Sequence, residues 1–211
     1  MKVYTYFQQV DKFKLGQKPW HLVEYWVSHW KSKGWEPMVL TIEDAKKHPY
    51  FPEYFKWIKK VKTVNPFEYE AACFLRHLAM SVVGGGLMTD TDVFNLTLQP
   101  EDLPDIDRIL VLGGGVPCAI WGSAGGYEFL CKAMAPYCKT ISSDMHMIQY
   151  FKVPNQQWCP SYPEVSGKMI HFPAIKIGID KLEFVQRFFA ERDVSANILR
   201  EAVSAPLKNH Q

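Results

Sequence analysis

Two carboxylates stand one residue apart where an apolar stretch of the chain ends. Asp90 and Asp92 lie in the segment 84–93, GGGLMTDTDV, in which glycines precede the apolar residues. Mg²⁺ and Mn²⁺ prefer oxygen ligands and keep part of their coordination shell for substrate phosphates, and glycine lets the backbone approach a ligand closely. The segment therefore predicts a strand that carries a Mn²⁺ or Mg²⁺ site beside a nucleotide diphosphate. The alternative is a polar turn at the end of a strand.

A second pair with the same spacing, Asp105 and Asp107, provides an internal comparison. It follows the acidic, proline-containing stretch 99–104, QPEDLP. Such a stretch is typical of a solvated loop, which does not hold two carboxylates in a fixed geometry. We therefore expect no ion at this second pair.

The composition predicts one compact domain. The chain has 211 residues, 47% of them hydrophobic, and a formal net charge of +2 with lysine and arginine spread along it. It lacks the clustered basic surface of proteins that bind nucleic acids or anionic lipids, and no apolar run reaches the roughly 18 residues of a membrane span. We therefore expect no nucleic-acid partner and no membrane span.

Cysteine usage and the two ends of the chain bear on localisation. The cysteines are odd in number and show no paired spacing of the zinc type, which indicates free thiols in a reducing compartment. The first residues are too few and too polar for a signal peptide. These features predict a cytoplasmic protein. The polar end 204–211 is either a tail or a linker to further domains of a larger polypeptide.

Segments with strand-like and helix-like patterns alternate along the chain. The strands are predicted at 3–8, 37–41, within 84–93, at 109–112 and at 116–121. The helices are predicted at 19–33, 43–61, 65–82, 127–137 and 182–190. This order predicts an α/β fold, a Rossmann-like α/β/α sandwich with a mostly parallel mixed sheet.

The helix predicted at 65–82 has a well-marked start and an arginine on its polar side. Asn65 is the expected N-cap, Pro66 the first helical residue and Glu68 the partner in a capping box. The apolar residues of the helix fall on one stripe, and Arg76 lies on the opposite side. Arg76 is therefore either a solvated arginine or a group that faces phosphate or orients a carboxylate.

The order of these motifs resembles the DXD glycosyltransferases of GT-A fold. The nearest pattern belongs to the sugar-binding-region family that includes yeast-type initiating mannosyltransferases, family 32. In that family a glycine pair stands five positions before the first aspartate, as Gly85 does before Asp90. An arginine precedes the glycine pair there, and Arg76 is its counterpart here. The resemblance implies a single GT-A-like domain, similar to short viral or bacterial polysaccharide transferases, with a catalytic role for Arg76.

A second resemblance lies late in the chain. The segment 170–176, IHFPAIK, is similar to the His-Phe-x-Gly-x-x-Lys motif of glycogenin-type transferases, family 8. The resemblance implies that His171 and Asp92 bind the metal, while Asp90 contacts it through water or holds the ribose. It also implies that Lys176 contacts the donor diphosphate.

The nucleobase and the acceptor are assigned to other segments. The uracil of a UDP-sugar is expected at the end of the first strand, near Thr5, Tyr6 and Gln8, for which ordinary strand packing is the alternative. An inverting enzyme also needs a carboxylate near the incoming hydroxyl, and Asp144 is the candidate. The alternative is a helix N-cap formed by Ser143 or Asp144. Both resemblances imply retention instead, which requires no such base.

These observations predict a metal-dependent glycosyltransferase that moves a sugar from a nucleotide sugar, expected to be a UDP-sugar, to a saccharide or glycan acceptor. We expect one domain over 1–211, with a nucleotide-binding half at about 1–95, an acceptor-side half at about 96–190 and a C-terminal helix, tail or linker at 191–211. One alternative is a nucleotidyltransferase that makes nucleotide sugars, although 10–16, VDKFKLG, matches its glycine-rich loop poorly. The other is a module without catalytic activity that binds a sugar or a nucleotide.

Overall fold

Strands and helices alternate along the chain. The structure is a computed structural model that describes residues 1–9, 19–112, 116–152, 165–173 and 180–204. Its strands are β1 Lys2–Tyr6, β2 Glu36–Leu40, β3 Gly85–Thr89, β4 Val93–Asn95, β5 Ile109–Val111, β6 Ala119–Ser123 and β7 Met169–His171. Its helices are α1 Pro19–Ser32, α2 Ile42–Lys46, α3 Phe51–Ile58, α4 Phe67–Val82, α5 Ala124–Ala133, α6 Asp144–Lys152 and α7 Lys181–Ser204, with short 3₁₀ turns at Pro100–Asp102 and Ala135–Tyr137.

A five-stranded mixed sheet lies at the centre, in the order β2-β1-β3-β6-β5. β1 runs parallel to β2 and β3, whereas β6 runs antiparallel to β3 and β5. The predicted α/β class with a mixed sheet is confirmed, but only two of the four pairings are parallel. The connection between β5 and β6 is too short for a parallel crossover, so these strands pair antiparallel. A second, two-stranded antiparallel sheet joins β4 to β7.

Both faces of the five-stranded sheet are buried. Neighbouring residues of a strand point to opposite faces, as the pairs Val3/Tyr4 and Leu87/Met88 illustrate, and the members of each pair belong to different hydrophobic clusters. Residues of α2, α3, α4, α5 and α6 complete one cluster, and residues of α1 and α7 complete the other. Helices therefore cover both faces of the sheet, as a partly parallel sheet requires.

Helix α1 braces the segment that follows β3. The indole N–H groups of Trp26 and Trp30 donate to the hydroxyl of Thr89 and the carbonyl of Val93, each over 3.1 Å. Both tryptophans are fully buried, so their N–H groups need partners inside the protein. These bonds tether the chain on either side of the predicted metal ligands.

Helix α4 begins later than the sequence predicts and is buried along most of its length. Its first residue is Phe67, and Pro66 occupies the N-cap without a side-chain hydrogen bond. Asn65, the predicted cap, instead donates its side-chain N–H to Glu70 Oε1 over 2.6 Å. The helix packs against β1 and β3 and also against α2, α3, α5 and α6. Its polar side, which carries Arg76, is therefore covered by protein rather than solvent.

The glycines before the aspartates shape the start of β3. Residues 84–86 all have positive φ, a conformation that side chains disfavour. A Cβ on Gly85 would lie 2.5 Å from the carbonyl oxygen of Gly122 and 2.6 Å from the amide nitrogen of Ala124. The glycines therefore permit close packing of β3 on the junction of β6 and α5. They lie at the opposite end of β3 from Asp90, so our expectation that they approach a diphosphate was wrong.

No helix in the described parts of the chain combines the length and hydrophobicity that a bilayer crossing requires.

Candidate metal and nucleotide site

The carboxyl ends of β1 and β3 lie side by side at one edge of the sheet. The two strands are parallel, with Tyr4 beside Met88. The chain passes from β1 to β2 on one side and then to β3 on the other, so the strand order reverses between β1 and β3. Ligands of open α/β sheets bind in the crevice at such a reversal. Asp90 directly follows β3 there, and residues 7–9 follow β1.

The small second sheet brings a histidine to this edge. β4 begins immediately after Asp92, and its first residue, Val93, pairs with His171. The N–H of Phe172 donates to the carbonyl of Asp92 over 2.9 Å. His171 Nε2 lies 3.4 Å from Asp92 Oδ1, and ligand atoms of Asp90, Asp92 and His171 all lie within 4.8 Å of one another. The structure thus brings together the three residues that the sequence analysis assigns to a metal.

The donor set fits Mn²⁺ or Mg²⁺. It offers two carboxylates and one imidazole, and carboxylate oxygens are the ligands that both ions prefer. All three residues are half-buried, so a substrate can reach the ion from solvent. The few protein ligands leave coordination positions for phosphate oxygens, as is usual at nucleotide sites.

The three residues perturb one another's proton affinities. Burial raises the pKa of Asp90 to about 6, although the positive charge of Arg76 opposes this shift. The hydrogen bond to Asp92 raises the pKa of His171 to about 10. Burial would also raise the pKa of Asp92, but hydrogen bonds from His171 and Lys181 outweigh it and lower this pKa. In the metal-free site His171 is thus a protonated partner of Asp92, and metal binding must release its proton.

Lys181 reaches the site from the first turn of α7. Its Nζ donates to Asp92 Oδ2 over 2.7 Å. Nothing in the sequence marks this lysine, because it lies 89 positions from Asp92 and only the packing of α7 brings it there. The sequence analysis assigns the diphosphate contact to Lys176, which lies outside the described residues.

Arg76 is buried and joins two carboxylates. Its Nη1 pairs with Asp90, and its Nη2 lies 2.5 Å from Asp144 Oδ2 and 3.1 Å from the carbonyl oxygen of Pro117. Only 7% of the residue is exposed, so the solvated alternative is wrong. Arg76 instead orients Asp90, the first aspartate of the candidate site.

Asp144 lies beneath the site and faces the guanidinium of Arg76 and the imidazole of His77. It is 4% exposed, pairs with Arg76 and lies 3.2 Å from His77 Nε2. Burial would raise its pKa, but Arg76 and His77 hold this pKa below the usual range. The cap of α6 is Ser143, whose hydroxyl accepts the N–H of His146 over 3.1 Å. Asp144 is thus placed to hold Arg76 rather than to meet an incoming hydroxyl as the predicted base.

A second group of potential ligands, Glu70, Cys73 and Asp144, lies deeper in the protein. Burial raises the pKa of Glu70 and that of the Cys73 thiol, which disfavours the anionic forms that ligate metals. The guanidinium of Arg76 already supplies a cation to Asp144. This group therefore suits an internal ion pair better than a metal ion.

The end of β1 contains polar and aromatic side chains. Thr5 is fully buried, and its hydroxyl has no partner among the described residues. Tyr6 packs against the core while its hydroxyl donates to Gln8 Oε1 over 3.3 Å. Beyond them the rings of Phe7 and Trp20 lie 5.5 Å apart, and Trp20 is 50% exposed. No pattern in the sequence indicates this aromatic pair, because its two residues come from separate segments that only the fold brings together.

The second aspartate pair differs in its surroundings. Asp105 and Asp107 are both exposed in the loop before β5. The identical spacing of the two pairs therefore does not by itself predict a metal site, and among the described residues the pair behind β3 is the one that lies beside a histidine.

Comparisons with known proteins assign no family. A scan of the sequence against models of known protein families finds no match, and a search of curated proteins finds none either.

Proposed function

We propose that this chain is a metal-dependent glycosyltransferase of GT-A fold, which moves a sugar from a nucleotide sugar to a saccharide acceptor. The observation that carries the proposal is the meeting of Asp90, Asp92 and His171 at the reversal point of the sheet. Two motifs far apart in the sequence, each resembling a transferase motif, converge on one site. Two unrelated motifs would have no reason to meet at one place in the fold.

The proposed metal is Mn²⁺ or Mg²⁺, held by Asp92 and His171, with Asp90 beside it. When bound, such an ion supplies Lewis-acid stabilisation to the charge that develops on a leaving diphosphate. Arg76 keeps Asp90 in place by an ion pair, and Asp144 with His77 keeps Arg76 in place. This buried series of contacts holds the carboxylate of Asp90 in place before the donor binds.

In this proposal the nucleotide lies at the end of β1, on the other side of the crevice from the metal. Gln8 presents an amide, and Phe7 and Trp20 offer ring faces on which a base can stack. Thr5 is fully buried, so we expect no direct contact between it and the donor. We favour a UDP-sugar as the donor, as the resemblances imply.

In the transfer, the bond between the anomeric carbon and the phosphate oxygen breaks, and the acceptor oxygen forms a new bond to that carbon. The acceptor's hydroxyl proton leaves with the departing nucleoside diphosphate. Arg76 and His77 already contact the carboxylate of Asp144, so this group is not free to take the acceptor's proton. This favours the retaining outcome, which needs no protein base at that position.

The test is a panel of UDP, GDP and dTDP sugars with Mn²⁺ or Mg²⁺, in which released nucleotide is measured by mass spectrometry. A parallel panel of sugar phosphates with nucleoside triphosphates is assayed for pyrophosphate. We expect release of UDP from one UDP-sugar, faster with a saccharide acceptor. Asp92→Asn should lose this release, whereas Asp107→Asn should retain it. Release of pyrophosphate from sugar phosphate and nucleoside triphosphate would instead indicate a nucleotidyltransferase. Binding of a nucleotide sugar without release of nucleotide or pyrophosphate would support a module without catalytic activity.

A further inference from the structure

Lys181 and Asp92 form an ion pair inside the candidate site. The ammonium lies 2.7 Å from Asp92 Oδ2, while Oδ1 faces His171. Only 16% of each side chain is exposed, whereas the surface pair of Lys46 and Glu43 has 47% and 69% exposed. The pair is thus poorly screened by water, and its charges interact more strongly than those of surface pairs.

The backbone of Lys181 is held by the cap and by the packing of helix α7. Asp180 caps α7 by accepting the N–H groups of Leu182 and Glu183 over 2.8 and 3.3 Å. Further along the same helix, Val185 and Phe189 are buried against the core beside α1. The helix therefore holds the lysine stem at the mouth of the site, and the flexible stem alone determines where the ammonium lies.

A divalent ion on Asp92 would disfavour the ammonium in this position. Both would occupy the same carboxylate, and two cations at such distances repel each other strongly in a half-buried site. This repulsion drives the ammonium away from Asp92, and a half-buried ammonium without a partner is unfavourable. An anion that arrives with the metal removes this penalty, because it accepts hydrogen bonds from the displaced ammonium.

We propose that Lys181 is a tethered cation that occupies Asp92 in the metal-free protein and exchanges with the metal, so that the site takes up the metal together with a diphosphate rather than alone. The proposal rests on the metal site of the proposed function. It adds a selection step: free Mn²⁺ must displace Lys181 without compensation, whereas Mn²⁺ with a diphosphate gives the ammonium a new partner. Metal and diphosphate binding are then positively coupled, each strengthening the other by the same factor.

The test uses the full chain and its Lys181→Met variant, with Lys168→Met as the matched control. Lys168 pairs with Asp102 over 2.5 Å, away from the site. Binding of Mn²⁺ alone is measured by electron paramagnetic resonance, and binding of UDP in excess Mn²⁺ by calorimetry. We expect Lys181→Met to bind Mn²⁺ alone about tenfold more tightly and UDP about tenfold more weakly than the parent chain. Lys168→Met should match the parent in both.

Simple damage to the site would weaken the binding of both ligands, whereas the proposal expects Mn²⁺ to bind more tightly and UDP more weakly. Weakening of both ligands in Lys181→Met and in a second variant, Lys181→Gln, overturns the proposal, as does the absence of any change. If the parent binds UDP and Mn²⁺ but the variants do not differ from it, only the role of Lys181 falls. If the parent binds neither ligand, the metal site of the proposed function falls as well.

Discussion

At the scale of single residues, the site depends on buried charges that compensate one another. Arg76 is 7% exposed and holds Asp90 and Asp144, and His77 lies against Asp144. A buried ion pair contributes little net stability by itself, but removal of one member leaves an uncompensated charge in a poorly solvated place. The arrangement therefore fixes the geometry of Asp90 and makes the fold sensitive to the loss of Arg76.

Replacement of Arg76 by methionine should be strongly destabilising. Methionine keeps an unbranched stem but lacks the guanidinium, so Asp90 loses its ion pair with Arg76 and Asp144 keeps only its contact with His77. We expect a loss of about 3–5 kcal/mol in the free energy of unfolding, measured by urea denaturation. Arg187→Met removes an exposed pair with Glu191 and should change stability by less than about 0.5 kcal/mol. Equal effects of the two substitutions would show that Arg76 is not the buried anchor.

At the scale of elements, glycine determines how β3 packs. Gly85 has positive φ and approaches the backbone of β6 and α5 more closely than any side chain permits. Asp90 lies at the far end of the same strand, so the packing of its start sets the position of its carboxyl end. The glycine motif thus serves the site indirectly, by fixing the strand that carries the aspartates.

Two glycine substitutions test this role. Gly85→Ala should cost roughly 2–5 kcal/mol in the free energy of unfolding, since strain at positive φ costs about 1–2 kcal/mol and overpacking about 1–3 kcal/mol. Gly125→Ala is the control, because Gly125 lies in helix α5 with open space where the Cβ would be. It should stabilise the protein by about 0.5–1 kcal/mol. Chemical denaturation of both variants measures the difference, and a neutral Gly85→Ala would contradict the packing argument.

At the scale of the whole molecule, binding and folding should be linked. Asp92 belongs to the turn between β3 and β4, while His171 and Lys181 belong to β7 and α7, so the site exists only in the folded chain. A ligand that binds only the folded state stabilises it by mass action. The proposed ligands should therefore protect the protein from heat.

We expect UDP with Mn²⁺, at about 100 times its dissociation constant, to add about 2.7 kcal/mol of stability. For a chain of this size that raises Tm by about 5–10 °C, as measured by differential scanning calorimetry. EDTA should reverse the shift, Asp92→Asn should abolish it and Asp107→Asn should preserve it. A shift that survives in Asp92→Asn would place the ligand elsewhere in the molecule.

The sequence by itself determined the α/β class, most strands and helices and the pair of aspartates behind β3, because these follow from local periodicity and from residues that stand next to one another. It also singled out His171, through a motif, but did not indicate why this residue lies beside Asp92. Only the tertiary structure decided that β7 pairs with β4 and carries His171 to Asp92, that α4 is covered on its polar side so that Arg76 is buried, and that α7 delivers Lys181. These outcomes depend on contacts between segments tens of residues apart, and such contacts are set by which surfaces bury each other rather than by any pattern within one segment.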